Sequence, residues 1–327
     1  MSDEPTKETS TGDESTEEPS MSAESSESTH FDFDAKSYPV LAVLFPDELH
    51  FFRSIATTVE LAADVAVLTE GQVSPHLYLV QSGLLGVNKR HGTEIFEVGS
   101  ITPGEVFSEA SVLYNSPAGA EVRTVEPSVL YQIPAEQVRD VLASNERFNR
   151  SISQIAERRS AASALAVNPI FATLPQVVRE VALYNGQFMT INAGDVLMSE
   201  GNADIRFMFI VLAGEAEIFM QHPSDPKKKI IVARASSGDE IGEISVITGK
   251  PHAATVVATT TLRLMVLNND SIQAWRKRYS DFGYAIYACA QHKLQHSMEA
   301  LRNIVDDKEA QARTIGTLPP LKKTDRS

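Results

Sequence analysis

The sequence predicts a mainly β fold: two tandem β-rolls of the double-stranded β-helix, or jelly-roll-like, type, with helices flanking each roll. Three observations lead to this prediction. The chain repeats itself over the length of a whole domain, each copy is dense in short strand signals, and amphipathic stretches follow those signals. A chain of 327 residues also fits two domains, at roughly 100–200 residues each.

The repeat is visible in the positions of glycine, glutamate and proline. Gly71, in LTEGQ, is followed 130 residues later by Gly201, in MSEGN. Three further landmarks recur at an offset of 134: Gly104, Glu109 and Pro117 correspond to Gly238, Glu243 and Pro251. A period of this size indicates a duplicated domain, because the units of a solenoid are only roughly 20–50 residues long.

Short apolar runs in each copy are typical of buried strands. Segments 77–80 and 207–211 are each closed by a glycine turn, at Gly83 and Gly214. The β-branched and apolar segments 122–133 and 255–267 follow. Many short strands separated by glycine turns favour a roll or barrel.

Three amphipathic segments are predicted to be helical, at residues 135–161, 169–184 and 271–312. The last is the longest and keeps one apolar face from Trp275 to Val305. Two interpretations of it stay open. Either it packs on its own roll, or its part beyond about Gln291 forms a homodimer seam or a lid over a ligand.

Charge divides the chain into predicted regions. The net charge is −14, and residues 1–36 carry −9 of it through eleven acidic residues and two lysines. This segment has too little apolar surface to offset the entropy lost on ordering, so a disordered acidic tail is expected. The predicted domains are then 37–161 and 162–312, followed by a flexible tail at 313–327.

Composition also argues against several partners. A negative field repels phosphates, so no nucleic acid is expected to bind. The single cysteine, Cys289, fits a reducing compartment. The longest apolar runs, such as 207–213, are far shorter than the ~20 residues that span a bilayer. No membrane association and a cytoplasmic location are therefore expected.

Two segments carry the chemistry: GDEIGEIS at residues 238–245 and GKPHAATV at residues 249–256. A glycine turn that leads into a short helix exposes backbone N–H groups, and small side chains let an anion approach them. Glu243, in the same turn, is able to accept hydrogen bonds from a sugar hydroxyl. Together the segments predict a pocket for a sugar-phosphate.

These segments resemble the phosphate-binding cassette of the cyclic-nucleotide-binding domain family, seen in cAMP receptor proteins and protein kinase A regulatory subunits. The family pattern is F-G-E-[LI]-A, with nine residues from the glutamate to an arginine and then A-A-T. Glu243 and His252 are also nine apart, and the resemblance covers about residues 40–300. It implies that Glu243 holds the ribose 2′-hydroxyl while the small residues cradle a cyclic phosphate. The ligand-binding residues it implies are Gly242, Glu243, Ile244, His252, Ala253, Ala254 and Thr255.

His252 stands where the family has its arginine. Arginine presents a permanently charged fork to phosphate, whereas histidine reaches less far and has an unperturbed pKa near 6.5. Removing one partner of a buried charge pair costs about 2–5 kcal/mol, so phosphate binding is expected to be weakened or lost. Two interpretations of His252 stay open: a ligand contact and an ordinary surface residue.

The first copy departs further from the family pattern. Ala118 replaces the arginine, and Glu121 replaces the threonine and repels phosphate. Arg123 lies two residues on, so strand alternation points it to the same face as Glu121, which we expect it to neutralise. This site is therefore predicted not to bind a cyclic phosphate. Its residues are Ser108, Glu109, Ala118, Gly119 and Glu121.

Catalytic and DNA-binding alternatives fit less well. A bicupin enzyme needs a His-x-His motif for its metal, and none is present, so no metal or cofactor is expected. His292 and His296 are interpreted as a solvated helix face. A winged helix would have to fit in the roughly fifteen residues after Ala312. The arginine run at 158–159 lies in a predicted helix and is discounted as a kinase pseudosubstrate.

Two functional hypotheses from different classes remain, neither of them enzymatic. In the first, the protein is a signalling sensor whose second roll binds cAMP, cGMP or a related nucleotide or nucleoside and shifts the following helix. Tyr284 or Tyr287 would stack on the base, although core packing is the favoured role for both. In the second, the rolls are a ligand-independent scaffold for an unidentified protein partner. The apolar last helix makes a homodimer a candidate in either case.

Overall fold

The two predicted rolls are present in the computed structural model, which describes residues 33–91, 93–203, 207–222 and 224–304. Each roll contains two four-stranded antiparallel sheets. The strands of roll one are β1 (Thr57–Leu61), β2 (Ala66–Leu68), β3 (His76–Ser82), β4 (Leu85–His91), β5 (Glu94–Ile101), β6 (Val106–Phe107), β7 (Glu121–Thr124) and β8 (Ser128–Pro134). Those of roll two are β9 (Gln187–Ile191), β10 (Val196–Met198), β11 (Phe207–Ala213), β12 (Ala216–His222), β13 (Asp225–Ala235), β14 (Glu240–Ile241), β15 (Thr255–Ala258) and β16 (Leu262–Asn268).

The rolls share one topology. The sheets of roll one have the orders β1-β8-β3-β6 and β2-β7-β4-β5, and those of roll two have β9-β16-β11-β14 and β10-β15-β12-β13. Adding eight to each strand number of the first roll yields the second. The duplication read from the glycine spacing is thereby confirmed.

Helices flank both rolls. Short 3₁₀ turns lie at Pro39–Val43 and Phe171–Thr173. The helices of the first copy are α1 (Pro46–Ile55), α2 (Glu109–Tyr114), α3 (Ala135–Ser144) and α4 (Glu146–Val167). Those of the second copy are α5 (Gln176–Asn185), α6 (Glu243–Thr248), α7 (Asn269–Arg278) and α8 (Ser280–Arg302).

Each of the two long predicted helices is broken, at Asn145 and at Tyr279. Both residues have an extended backbone, with φ of −117° and −122°. Asn145 restarts its helix by accepting a hydrogen bond from the Phe148 N–H through Oδ1, at 3.0 Å. The predicted segment 169–184 is helical only from Gln176, after the 3₁₀ turn and Pro175.

Strand alternation produces two apolar layers in each roll. In β3, Tyr78 and Val80 face the opposite sheet, whereas Leu77 and Leu79 face the helices. Phe33 joins the helical layer and is 2% exposed, and its carbonyl accepts a hydrogen bond from Arg53. Ordered packing thus includes residue 33, three positions before the predicted end of the acidic tail. The rest of that tail, residues 1–32, and the tail at 313–327 lie outside the described residues.

Helix α4 joins the two rolls. Ala161, Ala164 and Leu165 at its C-terminal end pack in the helical core of roll two. The predicted domain boundary at 161–162 therefore falls inside a continuous helix. Within the described ranges, no helix is both long and apolar enough to cross a bilayer.

Candidate nucleotide site in the second roll

A cavity of about 440 Å³ lies between residues 238–256, here the second cassette, and helix α8. Strand β13 forms a further part of its wall. Six of the seven predicted ligand-binding residues line it: Gly242, Glu243, Ile244, His252, Ala253 and Ala254. Thr255 is not among the lining residues; its Oγ1 accepts a hydrogen bond from the Glu200 N–H at 3.0 Å.

The turn before α6 depends on Gly242. Its φ of 95° is in the left-handed region, and a Cβ there would lie 2.6 Å from both Met198 Cε and the Phe207 carbonyl oxygen. Because the backbone oxygen has no freedom to move aside, only glycine fits. The turn directs Glu243, which begins α6, into the cavity wall, where its side chain is buried.

Glu243 faces a cation from α8. The Lys293 ammonium lies 3.6 Å from Glu243 Oε2 and 2.6 Å from Glu240 Oε1, and it donates to the Glu240 carbonyl oxygen at 2.8 Å. Burial alone would lower the pKa of Lys293, but the two carboxylates raise it above its usual range. Lys293 therefore stays charged and ties α8 to the cassette.

The two carboxylates differ in their neighbours. Glu240 also accepts hydrogen bonds from Asn168 Nδ2 at 2.5 Å and from the Cys289 thiol at 2.9 Å. Burial would raise the pKa of Glu240, but Lys293 and these donors hold it below its ordinary value. For Glu243, burial prevails and raises the pKa; Lys293 offsets only part of this rise, and the charge of Glu240 adds to it. Glu243 is thus the carboxylate that is more readily protonated.

His252 belongs to the cavity wall. It is 5% exposed, and its Nδ1 lies 2.7 Å from Ser245 Oγ on α6. Its backbone N–H donates to the Asn202 carbonyl at 3.0 Å, which fixes the position of the segment. The surface interpretation of His252 is therefore wrong.

Helix α8 supplies lining residues that the sequence reasoning missed. Lys293, His292 and His296 all line the cavity, and the two imidazole rings have centroids 4.5 Å apart. The solvated-face interpretation of the histidine pair is thus incomplete, because their exposed rings stand at the cavity. Tyr284 is instead 56% exposed and Tyr287 packs against the helical core, so neither lines the cavity. The signal for Lys293 was its spacing of 134 from Arg159.

The contact of Lys293 with the carboxylates of the second cassette is here called a clamp. The first cassette, residues 104–122, has an equivalent clamp with different chemistry. Arg159 on α4 lies 3.3 Å from Glu109 Oε1 and 3.0 Å from Glu105 Oε1, and it also donates to the Val106 carbonyl. Discounting the arginines at 158–159 as a pseudosubstrate overlooked this role. Ser108 takes the position of Gly242 with a φ of 74°, a strained conformation for a residue with a side chain.

The strand entry of the first cassette is occupied by the protein's own charges. Arg123 Nε donates to Glu121 Oε1 at 3.0 Å, as the alternation of β7 predicted. Ala118 is buried and has no donor to replace the arginine. Lys89 Nζ donates to the Gly119 carbonyl at 2.7 Å, and Gly119 corresponds to Ala253 of the second copy.

Comparison with known proteins agrees with this architecture. The profile described as "Cyclic nucleotide-binding domain" matches residues 58–145 and 188–279, together more than half of the chain. The chain belongs to the cyclic nucleotide-binding domain family. The resemblance and the fold class read from the two cassettes are thereby confirmed.

Curated relatives with these domains include regulatory subunits. The cAMP-dependent protein kinase regulatory subunit of Yarrowia lipolytica is 28% identical over 207 residues, which cover 63% of this chain and 50% of the relative. The subunit of the same description from Schizosaccharomyces pombe is 27% identical, with coverage of 67% and 53%. The chain spans about half the length of the curated relatives it matches. The solved regulatory domain of Toxoplasma gondii PKA with cAMP is 22% identical, covers 77% of this chain and 92% of that one, and has a TM-score of 0.36.

Both cyclic nucleotide-binding domains of this chain lack the cassette arginine, but they differ in what replaces it. The first has a buried alanine and neighbouring charges that neutralise one another. The second keeps the glycine and the glutamate, replaces the arginine by a buried histidine, and retains a cavity in front of them. The candidate ligand site is therefore the one in the second domain.

Proposed function

We propose that this protein is a non-enzymatic regulatory protein whose second domain binds a cyclic nucleotide, or a related nucleotide or nucleoside. The observation that carries the proposal is the cavity between the second cassette and α8, with Glu243 in its wall. Its volume of about 440 Å³ lies within the range of roughly 300–1,000 Å³ typical of small-molecule sites. We retain the division into two domains and two tails as part of this proposal.

The chemistry of the wall suits a ribonucleoside unit. A carboxylate accepts hydrogen bonds from vicinal ribose hydroxyls, and Glu243 is a buried acceptor in the cavity wall. Ile244, Ala253 and Ala254 offer apolar or small surfaces against which a sugar and a base would lie. The site residues implied by the family thus remain our candidates, with Lys293, His292 and His296 added and Thr255 as an indirect support.

Ligand binding and helix position share one group. Lys293 holds α8 to Glu243, the same carboxylate that a ribose would engage. A ribose that competes for Glu243 weakens the Lys293 contact and shifts the preferred position of α8, to the extent that ligand affinity differs between the two positions. This is how we expect binding to reach a protein partner. The relatives named above make a protein kinase catalytic subunit the first partner to test.

One observation favours the alternative of a ligand-independent scaffold. Glu243 already has a partner in Lys293, and Glu109 has the equivalent one in Arg159. If these clamps are permanent, both rolls serve as surfaces and neither binds a ligand. The two functions are separated by a direct titration.

The test is isothermal titration of the full chain with cAMP, cGMP and adenosine, on wild type, Glu243→Gln and Glu109→Gln. Loss of a charged hydrogen-bond acceptor costs about 1.5–3 kcal/mol, so Glu243→Gln should weaken binding roughly ten- to a hundredfold. Glu109→Gln is the matched control, because it removes the equivalent carboxylate from the first domain and should leave affinity unchanged.

Flat titrations of folded wild type at millimolar ligand would reject the sensor and favour the scaffold. Equal losses in the two variants would place the ligand elsewhere than the second cassette. Circular dichroism on each variant checks that it is folded.

A further inference from the structure

The charges around the cavity oppose an anion when its histidines are neutral. Asp239, Glu240 and Glu243 contribute three negative charges to the lining, against the positive charges of Arg234 and Lys293. Lys293 is engaged by two of those carboxylates. A phosphate entering the cavity would therefore meet a net negative wall at neutral or alkaline pH.

Three imidazoles line the same cavity from two sides. His252 lies in the cassette against Ser245, and His292 and His296 extend from α8. The turn of α8 that follows His296 lies over the small residues of the second cassette, because Met298 and Leu301 cluster with Ala254 and Ile230. Three of the eight histidines of the chain thus line one cavity.

We infer that His252, His292 and His296 form a proton-dependent phosphate subsite, which replaces the family's arginine by imidazoles that carry charge only when protonated. The inference rests on the proposed function and specifies its ligand chemistry: a nucleotide phosphate binds with uptake of protons, whereas an uncharged nucleoside does not need them. Histidine is suited to this role because its charge changes between pH 5 and 8.

The imidazole pair on α8 couples phosphate binding to protonation. Two protonated rings 4.5 Å apart repel each other, and an anion between or beside them removes that repulsion. Bound phosphate therefore stabilises the protonated rings. By linkage, affinity for phosphate is greatest at low pH and falls as the pH rises.

Other charged groups face these histidines, and their effect on the pH dependence of binding must be distinguished from that of the imidazoles. They are Lys293 on α8, Glu240 on β14, Glu243 on α6, Arg234 on β13, and Asp239 in the turn before β14. Protonation of a carboxylate at low pH would also ease entry of an anion. Glu243 is the member of this set whose pKa burial raises, and it is also the proposed ribose acceptor. Adenosine tests that contribution, because it engages the ribose acceptor without a phosphate.

The experiment is titration of the full chain with cAMP and with adenosine from pH 5.5 to pH 8, in the presence of a chelator. Neither ligand changes charge over this range. We expect cAMP affinity to fall roughly tenfold or more as the pH rises, since imidazoles lose their charge there, while adenosine affinity changes little.

Three variants assign the effect. The double variant His292→Asn and His296→Asn should flatten the cAMP profile and leave adenosine binding intact, and both residues are exposed, so the fold should tolerate it. His252→Arg should bind cAMP more tightly at pH 8, because the guanidinium stays charged. The control is His50→Asn, an exposed histidine on α1 in the other domain, which should keep the wild-type profile.

The outcomes distinguish this inference from the proposed function. Adenosine binding with a flat cAMP profile, or with no cAMP binding at any pH, overturns the subsite and leaves the nucleoside-binding function standing. An unchanged pH profile in the double histidine variant overturns the subsite as well. Absence of binding by both ligands overturns the proposed function, and the subsite with it.

Discussion

The two cassettes differ in their ligand chemistry but share one clamp. Arg159 contacts Glu109 and the Val106 carbonyl, and 134 residues later Lys293 contacts Glu243 and the Glu240 carbonyl. Corresponding atoms are thus joined in both copies. A cation from the second helix after each cassette is thus part of the duplicated architecture, present whether or not the cassette is suited to a ligand.

The two clamps differ in how many carboxylates the cation neutralises and in how deeply those carboxylates are buried. Roll one has Val106 where roll two has the buried Glu240, and its second acid, Glu105, is partly exposed. Lys293 therefore neutralises two buried carboxylates, whereas Arg159 neutralises one buried and one solvated. We expect the second clamp to be the stronger constraint on the fold and the one that a ligand perturbs.

Removing either cation should have the largest effect on stability, and the loss should differ between the two rolls. Lys293→Met leaves Glu240 and Glu243 buried without their cation, so we expect a loss of about 3 kcal/mol at pH 7. Arg159→Met should lose only about 1–2 kcal/mol, because Glu105 is solvated. Urea unfolding followed by circular dichroism measures both. Equal losses would show that the deeper burial of the second clamp has no energetic consequence.

Exchanging the residues before the cassette glutamates should have a smaller effect of opposite sign in the two rolls. Gly242→Ser imposes a left-handed φ on serine and a clash with the Phe207 carbonyl, so we expect it to lower the free energy of unfolding by about 2 kcal/mol. Ser108→Gly relieves the strain of the same backbone conformation, but glycine adds conformational entropy to the unfolded state. We expect a net increase of about 0.5 kcal/mol in the free energy of unfolding. Thermal unfolding of both variants is the measurement. A destabilising Ser108→Gly would show that the serine side chain contributes more than its backbone strain costs.

Titrating the two carboxylates of the second clamp should show the smallest effect, a difference in the pH dependence of stability. The folded-state pKa of Glu240 is lowered, so its contribution is present above about pH 4.5 and is lost as the pH falls through that lowered value. The pKa of Glu243 is raised, so its contribution is present below about pH 4.5 and is lost as the pH rises.

Urea unfolding of Glu240→Gln and Glu243→Gln between pH 4 and pH 7 checks this. The stability of Glu240→Gln relative to wild type should worsen as the pH rises, and that of Glu243→Gln should improve. Parallel profiles for the two variants would contradict the opposite pKa directions.

Much of the cassette was predictable because it is local in sequence. Gly242 and Glu243 lie in one turn, and the spacing to His252 is set within a single stretch of chain, so a motif describes them. Lys293, His292 and His296 reach the same cavity from a helix some forty to fifty residues later. Nothing in their local pattern separates a solvated helix face from a cavity wall.

The sequence by itself determined the duplication, the roll fold class and the position of both cassettes, because glycine turns, strand periods and their repetition are recognised from the order of residues along the chain. Tertiary structure alone decided that His252 is buried, that Arg159 and Lys293 clamp equivalent glutamates, and that a cavity remains between α8 and the second cassette. These features depend on where a broken helix packs. That position results from the sum of many apolar contacts across the fold, which no single segment of the chain encodes.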